Sequence, residues 1–350
     1  MNRFQISVIP EKNNHAGVKA NEDITLIAKE LGFEELDIKS DSFEYSLKGK
    51  ILRQKGYYRD WRAAVKKITD GSVVLIQNPY HAKQLKRNKS LQLIKKKAKI
   101  IAFVHDVEEL RAYRYNDYYK REFDLMLEIS DILIVHNDVM KNWFVSKGFS
   151  AEKIVTLDIF DYLQSDCDEN KTPSFEKTIN VAGNLDPEKC GYLMGLTKLK
   201  NIKVNMFGSN FDQSLSSFDN INYHGSFPAD EIPDKLLSGF GLVWDGNGTD
   251  ACEGDSGNYL RFNNPHKLSL YLSSGLPVII WSEAAEAKYV KENNVGICID
   301  RLSDLNKIFE NMDEKQYKDL QKNIAAIRHN MVTGYYAKNA LNEALIKLRG

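Results

Sequence analysis

Short runs of apolar residues alternate with longer amphipathic stretches through the first half of the chain. Phe4–Ile9 opens this pattern, and similar runs follow at Ser72–Gln77, Ile100–Val104 and Asp131–Val135. The amphipathic stretch Asn21–Leu31 predicts a helix after the first run. Short buried strands separated by helices are typical of a parallel sheet with crossover helices. In such sheets the ligand crevice lies beyond the carboxyl ends of the strands.

The same alternation restarts in the second half. It predicts strands at Thr178–Ala182, Val204–Phe207, Gly241–Trp244 and Pro277–Trp281. The segment 165–174 between the halves is polar and contains a proline, which predicts a linker. A chain of 350 residues is also long for one core. We therefore expect an α/β protein with one Rossmann-like domain over 1–165, a second over 175–335 and a closing helix over 336–350.

Polar residues follow the predicted strands of the first half. Asn78 follows one strand, His105 and Asp106 follow the next, and His15 and Gly17 lie in the loop predicted after the first strand. A carboxylate or imidazole held at a crevice can serve as a general base for a hydroxyl group. Structural His–Asp pairs are also common, so these residues alone leave both interpretations open.

The segment beginning Asn264-Pro265-His266-Lys267 predicts a polar turn followed by a short helix. Pro265 suits the first helical turn, and Gly275 can end the helix in the left-handed conformation. The backbone amides and the positive end of the helix dipole would then lie near Lys267. This combination predicts a site for a phosphate group.

Two other strand ends of the second half contain candidate ligand-binding residues. Gly183-Asn184 permits close backbone approach, and Lys189 would lie one helical turn further on, within reach of a phosphate. Tyr223, at a loop tip, is suited to stacking on a nucleobase. An ordinary turn and a surface aromatic are equally consistent with these residues.

The acidic, glycine-rich loop Gly246–Gly257 lacks the spacing of a calcium loop, and we interpret it as a mobile lid. Asp166 and Asp168 form a DxD sequence, but they lie in the predicted linker. We therefore expect no metal cofactor. The absence of GxGxxG, GxxxxGK[ST], HExxH and GxSxG patterns disfavours a dehydrogenase, a P-loop enzyme, a zincin and an esterase.

Charge and composition limit the classes of binding partner that we expect. The chain has 48 basic and 48 acidic residues, so no overall field favours nucleic acid. Without a signal peptide or an apolar span in the sequence, and with scattered cysteines, we expect a cytoplasmic protein. The basic run 85–98 is either a solvated helix face or a surface that meets an anionic membrane, which leaves peripheral association with the inner face open. Homo-oligomer formation is also left open.

Taken together, these motifs resemble a family of bacterial sugar transferases of the GT-B architecture. This family includes galactofuranosyltransferases of surface polysaccharide assembly and the glucosyltransferase that acts on streptococcal serine-rich adhesins. The resemblance is carried by short stretches spread in order over most of the chain: Gln77–Pro79, Phe103–Asp106, Val181–Asn184, Ser238–Trp244 and His266–Ile279.

The resemblance implies a UDP-sugar donor on the second domain and a saccharide acceptor on the first. Tyr223 would meet the base, and Lys189, Asn264 and Lys267 would meet the diphosphate. The remaining substrate-binding candidates are Gly17, Asn78, Gly183, Asn184 and His266. The adhesin-type relatives have an arginine near the position of Lys189 and a shorter loop at Gly246–Gly257. The lysine keeps the charge without the bidentate geometry. These differences favour the galactofuranosyl-like branch and leave the donor open.

For catalysis, the resemblance implies an inverting transfer with a single general base. Asp106 is the first candidate with His105 orienting it, although the reverse assignment is open, and His15 is the fallback. The alternatives are a UDP-sugar epimerase or hydrolase on the same fold, or a non-catalytic nucleotide-sugar-binding subunit.

Overall fold

The computed structural model describes residues 1–8, 16–42, 44, 46–112, 115–164 and 171–349, with only the backbone of residues 16 and 17. The strands are β1 Arg3–Val8, β2 Glu34–Ile38, β3 Ser72–Asn78, β4 Ala98–Val104, β5 Ile132–Val135, β6 Ile154–Thr156, β7 Ser174–Ala182, β8 Lys203–Phe207, β9 Ile221–Tyr223, β10 Ser238–Val243, β11 Val278–Trp281 and β12 Gly296–Ile299. The helices are α1 Ala16–Glu30, α2 Leu47–Lys67, α3 Arg87–Lys95, α4 Glu108–Arg111, α5 Asp117–Ile129, α6 Asp138–Ser146, α7 Leu193–Leu196, α8 Ile232–Lys235, α9 Gly254–Tyr259, α10 His266–Ser273, α11 Ala287–Asn293, α12 Asp304–Asn311, α13 Glu314–Val332 and α14 Tyr335–Lys347.

The strands form two six-stranded sheets in the orders β2-β1-β3-β4-β5-β6 and β12-β11-β10-β7-β8-β9. The strand pairs in both sheets are parallel. This confirms the predicted α/β architecture. β3 and β4 pair from Ser72↔Ala98 to Asn78↔Val104, so both strands end at the same edge. There the His105 amide donates to the Asn78 carbonyl over 2.7 Å.

Alternation within the central strands divides the first domain's core between two layers. On β3, Val74 and Ile76 pack with Trp61 of α2 on one face of the sheet. Val73 and Leu75 point to the opposite face. Both faces are buried because successive side chains of a strand point to opposite sides. The strands therefore read as continuous apolar runs in the sequence, because the side chains on both of their faces are buried.

The closing helix α14 returns to the first sheet rather than the second. Ala337, Leu341 and Leu345 pack in the same layer as Val73 and Leu75. The Asp161 carboxylate accepts from the backbone amides that start this helix, those of Tyr336 at 3.1 Å and Ala337 at 2.7 Å. The chain therefore crosses between the domains twice, once after β6 and once before α14.

Two predicted element boundaries differ from the structure. Helix α1 begins at Ala16 instead of Asn21, which places Gly17 in a helix instead of a loop. The hydrophobic pattern did not predict this first turn, because its buried face contains the polar residue Lys19. The Lys19 side chain is buried and pairs with Asp23 at 2.8 Å. Strand β7 begins at Ser174 and is longer than predicted. Residues 165–170 of the predicted linker, with Asp166 and Asp168, lie outside the described residues.

The loop Gly246–Gly257, which we expected to be a mobile lid, is packed on the second domain. The indole of Trp244 donates to the Gly248 carbonyl over 3.0 Å, and the Leu302 amide donates to the Thr249 carbonyl over 2.8 Å. Cys252 is only 1% exposed. The last part of the loop forms α9. Across the described ranges, no helix has the length and apolar character needed to span a membrane.

Candidate active site

Asn264 joins the two domains at the carboxyl ends of β5 and β6. Its Nδ2 donates to the carbonyls of His136 at 2.9 Å and Asp158 at 3.0 Å, and its Oδ1 accepts from Asn137 at 2.7 Å. Its backbone amide donates to Nδ1 of His136 over 2.8 Å. Asn264 is 3% exposed. The amide that we expected to be free for a phosphate is therefore used in the contact between the domains.

Three histidines surround the ring of Phe160 at this junction. His105 stacks on it with ring centroids 5.9 Å apart, while His136 and His266 approach it edge-on at 5.0 and 5.8 Å. Burial lowers the pKa of His136 to about 4. Burial, helped by the charge of Lys19, lowers the pKa of His266 to about 3. These rings are therefore neutral at physiological pH.

The hydrogen bonds of His105 indicate which nitrogen carries its proton. Nε2 lies 2.7 Å from Oε1 of Gln77. The amide nitrogen of Gln77 donates to Thr25 and to the Asn21 carbonyl, so its oxygen faces the imidazole and Nε2–H is the donor. Nδ1 then has a lone pair without a hydrogen-bond partner among the described residues. Burial, followed by the other histidines, lowers the pKa of His105 well below its ordinary value.

Asp106 lies at the end of β4 and forms an ion pair with Arg111. Nη1 of Arg111 is 3.0 Å from its Oδ2, and the two side chains are 31% and 27% exposed. Burial would lower the pKa of Arg111, but Asp106 and Glu108 raise it above its ordinary value. The next amide, that of Val107, donates to the hydroxyl of Tyr259 over 3.0 Å. The Asp106 loop is therefore attached to α9 of the second domain.

Lys267 is the second residue of α10. Its Nζ lies 2.9 Å from Oδ1 of Asp245 and 3.1 Å from the Trp244 carbonyl, both just after β10. Burial would lower the pKa of Lys267, but the Asp245 carboxylate raises it above its ordinary value. The lysine is therefore cationic. The first-turn amides of His266 and Lys267 have no acceptor within the helix itself.

Two glycines hold α10 in this position. Gly275 has φ 82°, and the amides of Gly275 and Leu276 donate to the carbonyls of Leu272 and Tyr271, which ends the helix as predicted. Gly241 lies on β10, where the Tyr271 ring occupies the space that a Cβ would need. The Tyr271 hydroxyl accepts from the Ala182 amide over 2.8 Å. The helix start is therefore fixed against the centre of the second sheet.

The glycine-containing turn after β7 is exposed at the end of the strand. Gly183 has φ 133°, and a Cβ there would meet no atom within 4 Å. The Asn184 Oδ1 accepts from the Asp186 amide and from Asn210 Nδ2, at 3.2 and 2.9 Å. Lys189 lies in a turn, not in the helix that we predicted, since its amide donates to the Asp186 carbonyl.

Tyr223 ends β9 and is 36% exposed. One face of its ring stacks on Phe211 with centroids 4.1 Å apart, and its hydroxyl donates to the Gly208 carbonyl over 2.9 Å. The backbone of Gly208 lies against that of Gly183, where a Cβ would collide. The aromatic pair and the glycine turn after β7 therefore lie at the same end of the second sheet.

Asn78 and His15 are the two remaining candidates of the first domain. Asn78 is 5% exposed, and its Nδ2 donates to Glu122 at 3.4 Å. His15 lies outside the described residues. Sequence reasoning missed Asp245, although the rule of polar strand ends applies to it. It also missed Arg111 and Tyr259, for which no local signal exists, since only the fold brings them to the Asp106 loop.

Comparison with known proteins identifies the family. Residues 3–159 match the domain described as glucosyltransferase 3-like, N-terminal, and residues 179–344 match the corresponding C-terminal domain. Beta-1,6-galactofuranosyltransferase WbbI of Escherichia coli K12 is 35% identical over 257 residues, which cover 72% of this chain and 73% of that protein. Glucosyltransferase 3 of Streptococcus gordonii is 27% identical over 339 residues, 94% of each chain.

A solved structure supports the same fold. Anabaena HepE in complex with UDP and glucose aligns over 98% of this chain and 99% of its own, with a TM-score of 0.59 and 11% identity. The similarity to HepE supports the fold alone, while the assignment to a family depends on the sequence matches. The predicted resemblance is confirmed, and the chain belongs to the glucosyltransferase 3-like family of GT-B glycosyltransferases.

Proposed function

We propose that this glycosyltransferase moves a hexosyl unit, galactofuranose or glucose, from a UDP-sugar to a saccharide acceptor in the assembly of a cell-surface glycan or glycoprotein. The observation that carries the proposal is the placement of Lys267 and Asp106. The ammonium group of Lys267 lies at the carboxyl end of β10, and Asp106 follows the carboxyl end of β4. Tyr259 and Asn264 join these two edges. Ligands of open parallel sheets bind at such edges.

On the donor side, Lys267 and the first-turn amides of α10 would bind the diphosphate. The lysine is cationic and is oriented by Asp245, and helix starts favour anions. Tyr223 would stack on the base with the ring face that Phe211 leaves uncovered. The open turn at Gly183 permits close approach of the ligand between these two sites.

On the acceptor side, Asp106 would act as the general base of an inverting transfer. His105 is the weaker candidate because its pKa is lowered well below the ordinary value and its Nε2–H is donated to Gln77. A base works best when its pKa lies near the working pH. His105 would instead shape the wall beside Asp106. His15 remains the fallback base.

A panel of UDP-sugars tests this proposal. UDP and the correct donor should raise the melting temperature, and transfer should require a saccharide acceptor. Product analysis with and without acceptor separates transfer from epimerisation and hydrolysis. If UDP-sugars bind but no acceptor supports turnover, the chain is a non-catalytic binding subunit, and the proposal is wrong.

A further inference from the structure

A cationic cavity lies in the first domain, outside the donor site described above. Its volume is about 280 Å³. It lies between the segment 83–89, where α3 begins, and the first half of α5, and five of its lining residues are basic: Lys83, Lys86, Arg87, Lys89 and Arg121. The segment 83–89 overlaps the N-terminal part of the basic run 85–98. The sequence left open whether that run is a solvated helix face or a surface that meets a membrane.

The positive charge of this cavity is only partly offset, because Glu122, the one acidic residue of its described lining, interacts with Arg87. Within the described ranges, Lys86, Lys89 and Arg121 take part in no ion pair. Like charges brought together in this way repel one another, so an anion between them would be stabilised. The concave shape favours a small anionic group over a flat surface.

Arg87 forms the rigid floor of the cavity. It is 3% exposed, and its Nη1 donates to the Tyr118 hydroxyl over 2.7 Å. Its guanidinium carbon lies 4.9 Å from the ring centroid of Tyr80 and 5.4 Å from that of Tyr118. An arginine held by aromatic rings and a hydrogen bond loses little freedom when it meets a ligand, which suits recognition of phosphate.

Two further lining residues agree with an anionic ligand. Glu122 is the one acidic residue of the described lining, and burial raises the pKa of its carboxyl to about 7. Its charge is therefore partly removed near neutral pH, and the carboxyl also accepts from the Tyr80 amide. Gln84 also lines the cavity; its Oε1 accepts from Trp61, and its buried Nε2 has no hydrogen-bond partner among the described residues.

The cavity is connected to the Asp106 loop by two hydrogen bonds. Glu122 accepts from Asn78 Nδ2 at 3.4 Å, and the Asn78 carbonyl accepts from the His105 amide at 2.7 Å. Burial is the main cause of the raised pKa of Glu122, and the charge of Glu108, which shares Arg111 with Asp106, adds to it. The cavity is therefore linked to the loop that carries Asp106.

We propose that this cavity binds a phosphate or diphosphate group carried by the acceptor, while a sugar hydroxyl of the same acceptor reaches Asp106. This inference rests on the proposed glycosyltransferase function and specifies the acceptor as a phosphorylated saccharide. Charge-assisted bonds from lysine and arginine are the usual means of holding such groups.

The test uses the full chain with UDP at saturating concentration, so that the donor site is occupied, and inorganic pyrophosphate as the probe. Lys89→Gln combined with Arg121→Gln removes one cation from each side of the cavity. Lys96→Gln combined with Lys120→Gln is the matched control, because both lysines are exposed, lie at or on the same two helices and do not line the cavity.

Calorimetry should show that pyrophosphate binds the wild type and the control with equal affinity. It should bind the cavity variant about tenfold more weakly, which is a loss of about 1.4 kcal/mol, because two solvated charged contacts are removed. With UDP-sugar saturating, pyrophosphate should raise the acceptor KM of the wild type and of the control much more than that of the cavity variant. Equal pyrophosphate affinity in the two double variants, or no pyrophosphate binding at all, would overturn the inference.

Vesicles of phosphatidylcholine with and without phosphatidylglycerol form the second arm. If the cavity variant loses binding to the anionic vesicles but keeps its pyrophosphate affinity, the residues form a membrane surface and the acceptor site is wrong. UDP affinity, measured in the same samples, should be equal in all variants. Absence of UDP binding in the wild type would instead contradict the proposed function and is distinguishable from failure of the cavity proposal.

Discussion

Lys267 and Asp245 form an ion pair of 2.9 Å between the start of α10 and the end of β10. The carboxylate keeps the ammonium charged and holds it where the second sheet ends, beside the first-turn amides of the helix. The lysine is 18% and the aspartate 15% exposed, so the pair is only partly screened by water. The donor-site prediction depends on this arrangement.

Lys267→Ala should weaken UDP binding by roughly ten- to a hundredfold, because a hydrogen bond to a charged group contributes roughly 1.5–3 kcal/mol. Calorimetric titration with UDP measures this effect. Lys288→Ala removes an exposed lysine from α11 and serves as the control, which should bind UDP like the wild type. Unchanged UDP affinity in Lys267→Ala would remove the lysine from the donor site.

Asp106→Asn should lower turnover by about two to four orders of magnitude while leaving UDP affinity nearly intact, because a positioned general base contributes about 10²–10⁴-fold. Steady-state kinetics with saturating donor measures the change. His15→Ala, assayed in parallel, tests the fallback base.

The variant Arg111→Gln tests whether Asp106 acts as a base or only stabilises its loop. It breaks the same ion pair but keeps the carboxylate. If Asp106 only stabilises the loop, both variants should lose similar stability and similar activity in denaturant melts and kinetic assays. Near-normal turnover in Asp106→Asn would exclude it as the base.

Asn264→Ala should lower the free energy of unfolding by about 2–4 kcal/mol, because it leaves buried partners on His136, Asn137 and Asp158 unsatisfied. Urea titration measures this loss, and Asn263→Ala is the neighbouring control. UDP affinity should change little if Asn264 only joins the domains. A tenfold weaker affinity would support the diphosphate contact that the family resemblance implies.

Transfer activity should survive excess EDTA, because the helix start and Lys267 would supply the positive charge at the diphosphate. Assays with and without EDTA, and with added manganese, check this expectation. Loss of activity that manganese restores would mean that a carboxylate of the acidic loop, or Asp166 and Asp168, binds a metal ion.

Asp161→Asn should change how stability depends on pH. Burial raises the pKa of Asp161 from 3.8 to about 7, so the folded state holds the proton more tightly than the unfolded state. The contribution of Asp161 to the free energy of unfolding therefore falls as pH rises from about 4 to about 7. Above about pH 7 the carboxyl is ionised in both states, and the free energy of unfolding falls no further on its account. Between about pH 5 and pH 8 the wild type should lose on the order of 2 kcal/mol more than the variant in urea titrations. Parallel pH dependences in the two proteins would contradict this assignment.

The fold class follows from local sequence pattern. Runs such as Ser72–Gln77 and Ile100–Val104 predict buried strands because both faces of a parallel sheet are covered, and this requirement acts on each strand separately. The stop at Gly275 is equally local, since it depends on a single backbone conformation. The strand-end rule also placed Asp106 at the carboxyl edge of the first sheet.

Tertiary structure decided which polar groups meet. His136 and Asn264 are 128 positions apart, and Asp161 caps a helix that starts about 175 positions later. No periodicity connects such pairs, because a side chain's hydrogen-bond partners depend on which surfaces the packed domains bring together. The neutral state of His105 and the pairing of Asp106 with Arg111 arise in the same way. The sequence by itself therefore determined two parallel sheets and the edges where we propose that ligands bind, while burial and long-range contact determined the charge and partners of each residue there.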